Sequence, residues 1–318
     1  MEDLIDNKTQ EPSVLILVPM FNEELMIGRC IESVCRQTYK NWIIYCQDNA
    51  SIDGTFTVVT TFAQKNPSIY QNRLETNISA DKSFNLVASN GLDQFSSDYV
   101  CYMGADDYWE NEDYLEKMIN QLQASQAVGI SAGLRLVSEN DENISDLIKI
   151  SFVSPKKVFR VIELIKNRHA VNAIYGIYVR SAFEQIVRNG GALSAYNGSD
   201  WWWVYSGVIK GKIINNSVVT YRKTVWSHDR RRDFVPEIDS NLNESQLSKM
   251  LQNVILQWKS DVGFFSKMVY GERKRLSELN DWTIILVVFF FMAKSIGNIP
   301  FSPFILFYKK MKIFVAKF

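Results

Sequence analysis

The stretch that decides the fold covers residues 13–55 and reads SVLILVPMFNEELMIGRCIESVCRQTYKNWIIYCQDNASIDGT. Residues 13–19 form a short apolar run that stops at a proline, which is typical of a buried parallel strand. A segment with apolar side chains at near-helical spacing follows, and Asn22 is its possible N-cap. A second strand ends at Asp48. A strand, a helix and another strand in this order predict a parallel α/β sheet with right-handed crossovers.

The pattern continues along the chain. It predicts helices at 55–64, 82–94, 180–189 and 244–269, and strands at 68–70, 128–137 and 173–179, with a further strand directly before Asp106. Functional groups collect at the carboxyl ends of the strands in such sheets. Asp48 and Asp106 both end predicted strands, and residues 19–23 follow a third. Three separate segments are therefore expected to meet at one edge of the sheet.

An adjacent acid pair, Asp106 and Asp107, follows the apolar strand in YVCYMGADDYWEN, residues 99–111. Like charges repel, and ionised groups beside an apolar interior are unstable unless a cation or ligand compensates them. Carboxylates suit Mg²⁺ or Mn²⁺, which use one or two of them together with substrate phosphates. The pair predicts a site for a divalent cation. The alternative is that both acids cap the helix that follows.

Composition and motifs exclude several classes of function. Lysine plus arginine and aspartate plus glutamate number 35 each, so no overall charge favours nucleic acid. No GxGxxG follows a strand and no GxxxxGK[ST] is present, which argues against a dinucleotide cradle and a P-loop. With two histidines, a catalytic triad or a histidine-rich metal site is not expected. The four cysteines lie in apolar surroundings and read as reduced core residues of a cytosolic protein.

The two ends of the sequence differ. The first residues are acidic and polar, unlike a secretory signal. Residues 282–293 are apolar and the remaining residues to 318 are rich in aromatics and lysines. Lys294 and Pro300 interrupt the run early, so an interfacial anchor on the cytoplasmic face of a membrane, peripheral or monotopic, fits better than a span. A helix packing on the core or on another subunit is the alternative.

The first third of the chain resembles family 2 glycosyltransferases of the GT-A fold. The pattern shared with that family is a helix ending in S-[IV]-x-x-Q-[ST]-[YF]-x-[ND], a strand, and D-[DN]-x-S-x-D-G-T. The matching residues are Ser33, Val34, Gln37, Thr38, Tyr39, Asn41, Asp48, Asn49, Ser51, Asp53, Gly54 and Thr55. The family's DxDD is represented by GADD, in which Gly104 stands in the place of the first acid.

The resemblance implies a GT-A fold, with a Rossmann-like, mostly parallel central sheet flanked by helices. The apolar and basic C-terminal sequence adds a helical, membrane-associated segment. We expect a flexible N-terminus at 1–12 and a catalytic domain at 13–235. That domain divides into a nucleotide-sugar-binding half at 13–110 and an acceptor half at 111–235. The C-terminal helical region is expected at 236–318, with its membrane-associated segment at 282–318.

The resemblance also assigns roles. Asp200, in GSDWWW, suits the catalytic base, and the metal ligands are Asp106 and Asp107. The implied donor-binding residues are Pro19, Phe21, Asn22, Glu23, Asp48, Asn49, Lys82 and Asp106. Trp201 and Trp202 are candidates for stacking on the acceptor sugar, but consecutive residues cannot share one helix face, so at least one of the three tryptophans is expected in the core. Capping alone is the alternative for Asp200, and a turn for Asp48 and Asn49.

The implied function is inverting transfer of a sugar from a nucleotide donor, UDP-linked by default, to a lipid-linked or polysaccharide-precursor hydroxyl, assisted by Mn²⁺ or Mg²⁺. Two alternatives stay open at this point. One is nucleotidyl transfer on a similar fold, although a glycine- and lysine-rich phosphate loop is missing after the first strand. The other is a catalytically silent, nucleotide-binding scaffold at the membrane, which the replacement of an acid by Gly104 suggests.

Overall fold

A mixed, mostly parallel sheet forms the centre of the part of the chain that the structure describes. The computed structural model describes residues 11–167, 169–188 and 199–226. Its eight strands are β1 Val14–Met20, β2 Trp42–Asp48, β3 Ile69–Arg73, β4 Tyr99–Tyr102, β5 Tyr108–Trp109, β6 Gly129–Ser138, β7 Ile177–Val179 and β8 Ile213–Val225. They lie in the order β3-β2-β1-β4-β7-β6-β8-β5. The pairs among the first four strands are parallel, as predicted.

Helices flank this sheet. They are α1 Ile27–Cys35, α2 Thr55–Lys65, α3 Ala80–Gln94, α4 Tyr114–Gln123, α5 Lys157–Lys166, α6 Arg180–Arg188 and α7 Ser199–Lys210, with a short 3₁₀ helix at Ala170–Tyr175. Their bounds agree with the predicted helices at 55–64, 82–94 and 180–189 to within a few residues. Among the described residues, no helix is long and apolar enough to cross a membrane. The expected helix at 244–269 and the segment 282–318 lie outside the described residues.

Strand β1 is buried along its whole length. The predicted stop at Pro19 is wrong, because the strand continues to Met20 and pairs there with Asp48. Proline is tolerated since β4 pairs with β1 only as far as Leu17, so the missing N–H removes no bond to that side. The last pair between the two strands joins Leu17 and Tyr102, and the chain that follows β4 no longer pairs with β1. The acid pair lies in this segment.

The predicted N-cap at Asn22 is wrong, and the capping alternative for the acid pair is not observed. Helix α1 begins at Ile27, five residues after Asn22, and Met26 is its N-cap. The acid pair does not cap a helix either, because β5 follows it and α4 begins only at Tyr114. Helix capping therefore does not explain why Asp106 and Asp107 are adjacent.

Aromatic side chains build the core between α7 and the sheet. Trp203 is fully buried, as expected for one of the three consecutive tryptophans. Its indole contacts Tyr102 of β4 and Tyr178 of β7, with ring centroids 5.9 and 4.9 Å apart. The four cysteines are free thiols, as predicted, and Cys30, Cys46 and Cys101 are buried.

Candidate active site

The loops that follow β1 and β2 are joined by hydrogen bonds from backbone to side chain. The N–H groups of Asn22 and Glu23 donate to Ser51 Oγ at 2.9 Å and Thr55 Oγ1 at 2.7 Å. In return, the Ile52 N–H donates to Asn22 Oδ1 at 2.9 Å. Asn22 has a φ of 52°, which asparagine tolerates better than most residues. The serine and threonine of the D-N-x-S-x-D-G-T pattern thus hold the predicted donor-binding loop in place.

Asp48 is fully buried at the carboxyl end of β2. Its carboxylate forms an ion pair with Arg73, with Nε to Oδ2 at 3.2 Å, and accepts hydrogen bonds from the backbone N–H and hydroxyl of Ser51. The bond from the Ser51 N–H forms a turn, which was the alternative to a donor-binding role for Asp48. Arg73 ends β3 and is half-exposed, so this pair presents a cation beside the predicted nucleobase position. Sequence analysis missed Arg73, although it ends a strand next to β2.

Asn49 holds a second loop. Its amide accepts from the Ile78 N–H at 2.9 Å and donates to the Ile78 carbonyl at 2.7 Å. Asn77 donates to the Asn49 carbonyl at 2.9 Å. The Asn49 amide is thus engaged with the backbone of the segment that leads into α3. Lys82, in the first turn of α3, is exposed, and Phe21, directly after β1, is partly buried.

Asp107 is 1% exposed and is held by residues of β8. Tyr221 donates its hydroxyl to Asp107 Oδ2 at 2.8 Å, and the Thr224 N–H donates to Oδ1 at 2.8 Å. Burial raises the pKa of Asp107 to about 7, and the charge of Asp106 adds to the rise. Both carboxylate oxygens of Asp107 thus already accept a hydrogen bond from the protein. Its role as a metal ligand stays a prediction.

Asp106 is the acid of the pair that faces outward. Its Oδ2 accepts from the Trp226 indole N–H at 2.7 Å, and its backbone carbonyl accepts from the Thr224 hydroxyl at 2.5 Å. The side chain is partly exposed. Oδ1 lies 3.1 Å from the point where a Cβ on Gly104 would stand. The missing side chain at 104 therefore leaves room for both carboxylates of the acid pair.

Gly104 is also where the acid pair meets β8. Its N–H donates to the Tyr221 hydroxyl at 3.1 Å, and that hydroxyl in turn donates to Asp107. A Cβ at this position would lie 2.9 Å from Asp107 Cγ and closer still to Oδ2. Position 104, where the family has its first acid, thus has to be glycine to leave room for the Asp107 carboxylate.

Gly104→Ala is expected to lower the free energy of unfolding by about 1–3 kcal/mol, because the new methyl group overlaps a buried, hydrogen-bonded carboxylate. Gly28→Ala is the matched control. A Cβ on Gly28 meets its nearest side-chain atoms at 3.9 and 4.0 Å inside helix α1, so this change is expected to stabilise by about 0.5–1 kcal/mol. Urea denaturation of both variants gives the comparison. Equal stability of the two variants would contradict this account of Gly104.

Asp200 lies in the first turn of α7, whose Trp203 contacts Tyr102 at the end of β4. Residues three apart share a helix face, so Asp200 lies on the face of α7 that meets this strand. Its side chain is partly exposed. The side chains of Trp201 and Trp202 lie outside the described part of the structure. The predicted base is thus on an element packed against the strand that leads to the acid pair.

The site residues that sequence analysis overlooked come mostly from β8. None of the contacts between this strand and the acid pair could be read from the sequence. Tyr221 and Thr224 of β8, and Trp226 directly after it, contact the acid pair. Arg29 of α1 also donates to the Asp106 carbonyl at 3.4 Å. His228 and the arginines after it lie outside the described residues.

A family model described as "Glycosyl transferase family 2" matches residues 15–187. The chain belongs to this family. Family 2 membership implies a transferase. The match ends before Asp200 and β8, so these residues lie beyond the matched segment.

Curated relatives match parts of this family 2 chain. Glycosyltransferase GlyA of Streptococcus pneumoniae serotype 4 is 31% identical over 130 residues, which are 40% of the chain and 17% of GlyA. WfgD of Escherichia coli, named as a UDP-Glc:alpha-D-GlcNAc-diphosphoundecaprenol beta-1,3-glucosyltransferase, is 25% identical over 146 residues. That match covers 46% of the chain and 52% of WfgD. The matched segments thus span about half the length of WfgD and far less of GlyA.

Solved structures show the same fold. S. aureus TarS 1–349 in complex with UDP-GlcNAc superposes with a TM-score of 0.56 at 17% identity, covering 86% of this chain and 70% of TarS. GalNAc-T7 with UDP, GalNAc and Mn²⁺ superposes with a TM-score of 0.52 at 12% identity, covering 67% of this chain and 44% of that one. The predicted GT-A fold is confirmed.

The sequence predicts a divalent cation beside the acid pair. Within the described ranges, no three histidine, cysteine or acidic side chains are grouped closely enough to hold a metal ion alone. Mg²⁺ and Mn²⁺ do not require such a group, since one carboxylate with substrate phosphates and water suffices. Asp106 fits this requirement because its carboxylate is partly exposed.

Proposed function

We propose that this family 2 chain transfers a sugar, with inversion, from a nucleotide diphosphate donor to a hydroxyl group of an acceptor. The observation that carries the proposal is the position of Asp106. This outward-facing carboxylate lies after β4, which is parallel to and paired with β1, and the fixed loops after β1 and β2 end at the same edge of the sheet. Ligands of parallel α/β sheets bind at this edge.

The donor is proposed to lie across this edge. Asp48 and Arg73 are placed at the nucleobase, with Phe21 and the fixed loop of Pro19, Asn22 and Glu23 beside it. Asp106 is placed at the cation and diphosphate, as sole protein carboxylate of the metal site. When bound, a divalent cation supplies Lewis-acid compensation for the leaving diphosphate. UDP is the default donor nucleotide.

Asp200 is the proposed general base. Its carboxylate takes the proton of the acceptor hydroxyl while the hydroxyl oxygen forms a bond to the anomeric carbon. The bond from that carbon to the diphosphate breaks on the opposite face, and the electron pair leaves with the nucleoside diphosphate. One displacement of this kind inverts the anomeric configuration.

The proposed acceptor is a lipid-linked or cell-surface polysaccharide precursor. Two relatives support this choice by their names, the WfgD enzyme and the "GalNAc(5)-diNAcBac-PP-undecaprenol beta-1,3-glucosyltransferase" of Campylobacter jejuni. We further propose a catalytic domain at 13–235 and membrane association through 282–318. A chain truncated before residue 282 that still sediments with the membrane fraction would contradict the membrane segment.

A thermal-shift screen of nucleotide sugars, with and without Mn²⁺, tests the function. A donor at about 100 times its Kd is expected to raise Tm by about 5–10 °C, because it binds only the native state. Mn²⁺ alone is expected to shift Tm little, since Asp106 is its only carboxylate ligand. If nucleoside triphosphates stabilise the protein and pyrophosphate is released, the reaction is nucleotidyl transfer. Nucleotide binding with no turnover of any sugar donor would indicate a silent scaffold.

A further inference from the structure

Lys223 lies on β8 between the two residues that hold Asp107. Tyr221 and Thr224 both donate hydrogen bonds to that carboxylate. The Lys223 ammonium donates to Asn172 Oδ1 at 2.9 Å and to the Tyr175 hydroxyl at 3.5 Å. It also lies 4.5 Å from the centroid of the Tyr175 ring. Its neighbours are therefore neutral oxygens and an aromatic ring.

Two other cations near the acid pair have carboxylate partners. Arg222 pairs with Glu110 at 2.5 Å, and Arg29 lies 3.6 Å from Asp141. By contrast, none of the ion pairs within 4 Å formed among the described residues includes Lys223. A partly buried ammonium without a carboxylate in contact is less stable than a paired one. An anionic ligand would complete its surroundings.

The charge of Lys223 is maintained by its position. Burial lowers the pKa of its ammonium, but Tyr175, Asp107 and Asp106 raise it, and the net direction is upward. The same interaction with Lys223 lowers the pKa of Asp107. Lys223 thus lies within electrostatic range of Asp106, which is where the proposed function places a diphosphate.

We propose that Lys223 binds a phosphate oxygen of a diphosphate substrate. The inference rests on the proposed function, because the diphosphate is placed beside Asp106 by that function. A diphosphate adds negative charge to a region that already holds the acid pair, and a resident ammonium offsets part of it. A charge-assisted hydrogen bond of this kind also stabilises the leaving group as its charge grows.

Two substrates bring a diphosphate to such a site, the nucleotide donor and a lipid-linked acceptor. Calorimetry with UDP and uridine in Mn²⁺ tests the first. Calorimetry with farnesyl diphosphate and farnesol, in the presence of saturating UDP, tests the second. The variants are Lys223→Met, which keeps the length without the charge, and Lys223→Arg, which keeps the charge. Lys149→Met, at an exposed position, is the control.

Lys223→Met is expected to weaken binding of one diphosphate by about 10- to 30-fold while binding of the matching uncharged compound stays within twofold. Lys223→Arg is expected to recover most of the affinity, and Lys149→Met to lose none. Loss with UDP assigns the donor, and loss with farnesyl diphosphate assigns the acceptor. Equal loss for uridine and UDP, or no loss in either pair, overturns the inference. If wild-type protein binds no nucleoside diphosphate, the proposed function itself fails.

Discussion

Replacing Asp106 with alanine is expected to remove Mn²⁺-dependent binding of the nucleotide donor. Affinity for UDP in Mn²⁺ should fall about 100-fold, and kcat/KM for sugar transfer by at least as much, since the change deletes the proposed site's only protein carboxylate ligand. Affinity for UDP in EDTA should be the same for variant and wild type. Titration calorimetry in Mn²⁺ and in EDTA measures both quantities.

Two further variants separate charge from packing at Asp106. Asp106→Asn keeps an oxygen that accepts from the Trp226 indole but has no charge, so it should resemble Asp106→Ala in its response to Mn²⁺. Asp93→Ala removes an acid whose partner, Arg188, forms a surface ion pair, and it should leave binding unchanged. If Mn²⁺ strengthens UDP binding by Asp106→Asn as much as it does for wild type, then Asp106 is not a ligand of the cation.

Replacing Asp200 with asparagine is expected to lower kcat by about 10²–10⁴-fold, because asparagine cannot accept the proton of the acceptor hydroxyl. The donor KM should stay within a few-fold, since Asp200 has no proposed contact with the nucleotide. Asparagine suits the start of a helix nearly as well as aspartate, so the free energy of unfolding should change by less than about 1 kcal/mol. Steady-state transfer assays with urea denaturation give all three quantities.

The capping alternative for Asp200 makes the opposite prediction. If the side chain serves only the start of α7, then Asp200→Ser should keep both stability and kcat near wild type. A base role requires that serine behave like asparagine in the transfer assay. A kcat within tenfold of wild type in both variants would exclude Asp200 as the base.

Local patterns in the sequence were sufficient for much of the donor half. The apolar runs in the sequence, and the polar residues at their ends, were enough to predict the strand that ends at Asp48 and the acid pair after β4. The position of Asn22 did not follow, because its side chain bonds to Ile52 and its backbone turns left-handed, and both depend on a loop thirty residues away. A capping pattern cannot reveal such a partner.

The different roles of the two adjacent acids were beyond prediction for a similar reason. Asp107 bonds to Tyr221 and Thr224, which are 114 and 117 residues further along the chain. Arg73 forms its ion pair with Asp48 across neighbouring strands, and neither residue predicts the other. Sequence periodicity reports which elements form, but it does not report which side chains meet once the sheet is assembled.

The hydrogen bonds from β8 to Asp107 bear on how the enzyme is made. Non-local pairing of this kind forms late, after the intervening chain has been ordered. When synthesis has reached only the end of residues 15–187, the segment that matches the family, Tyr221 and Thr224 have not yet been made. Neither donor to the buried Asp107 carboxylate is then present. Synthesis must pass Thr224 before the acid pair reaches its final geometry. The family segment alone therefore lacks both residues that hold the Asp107 carboxylate.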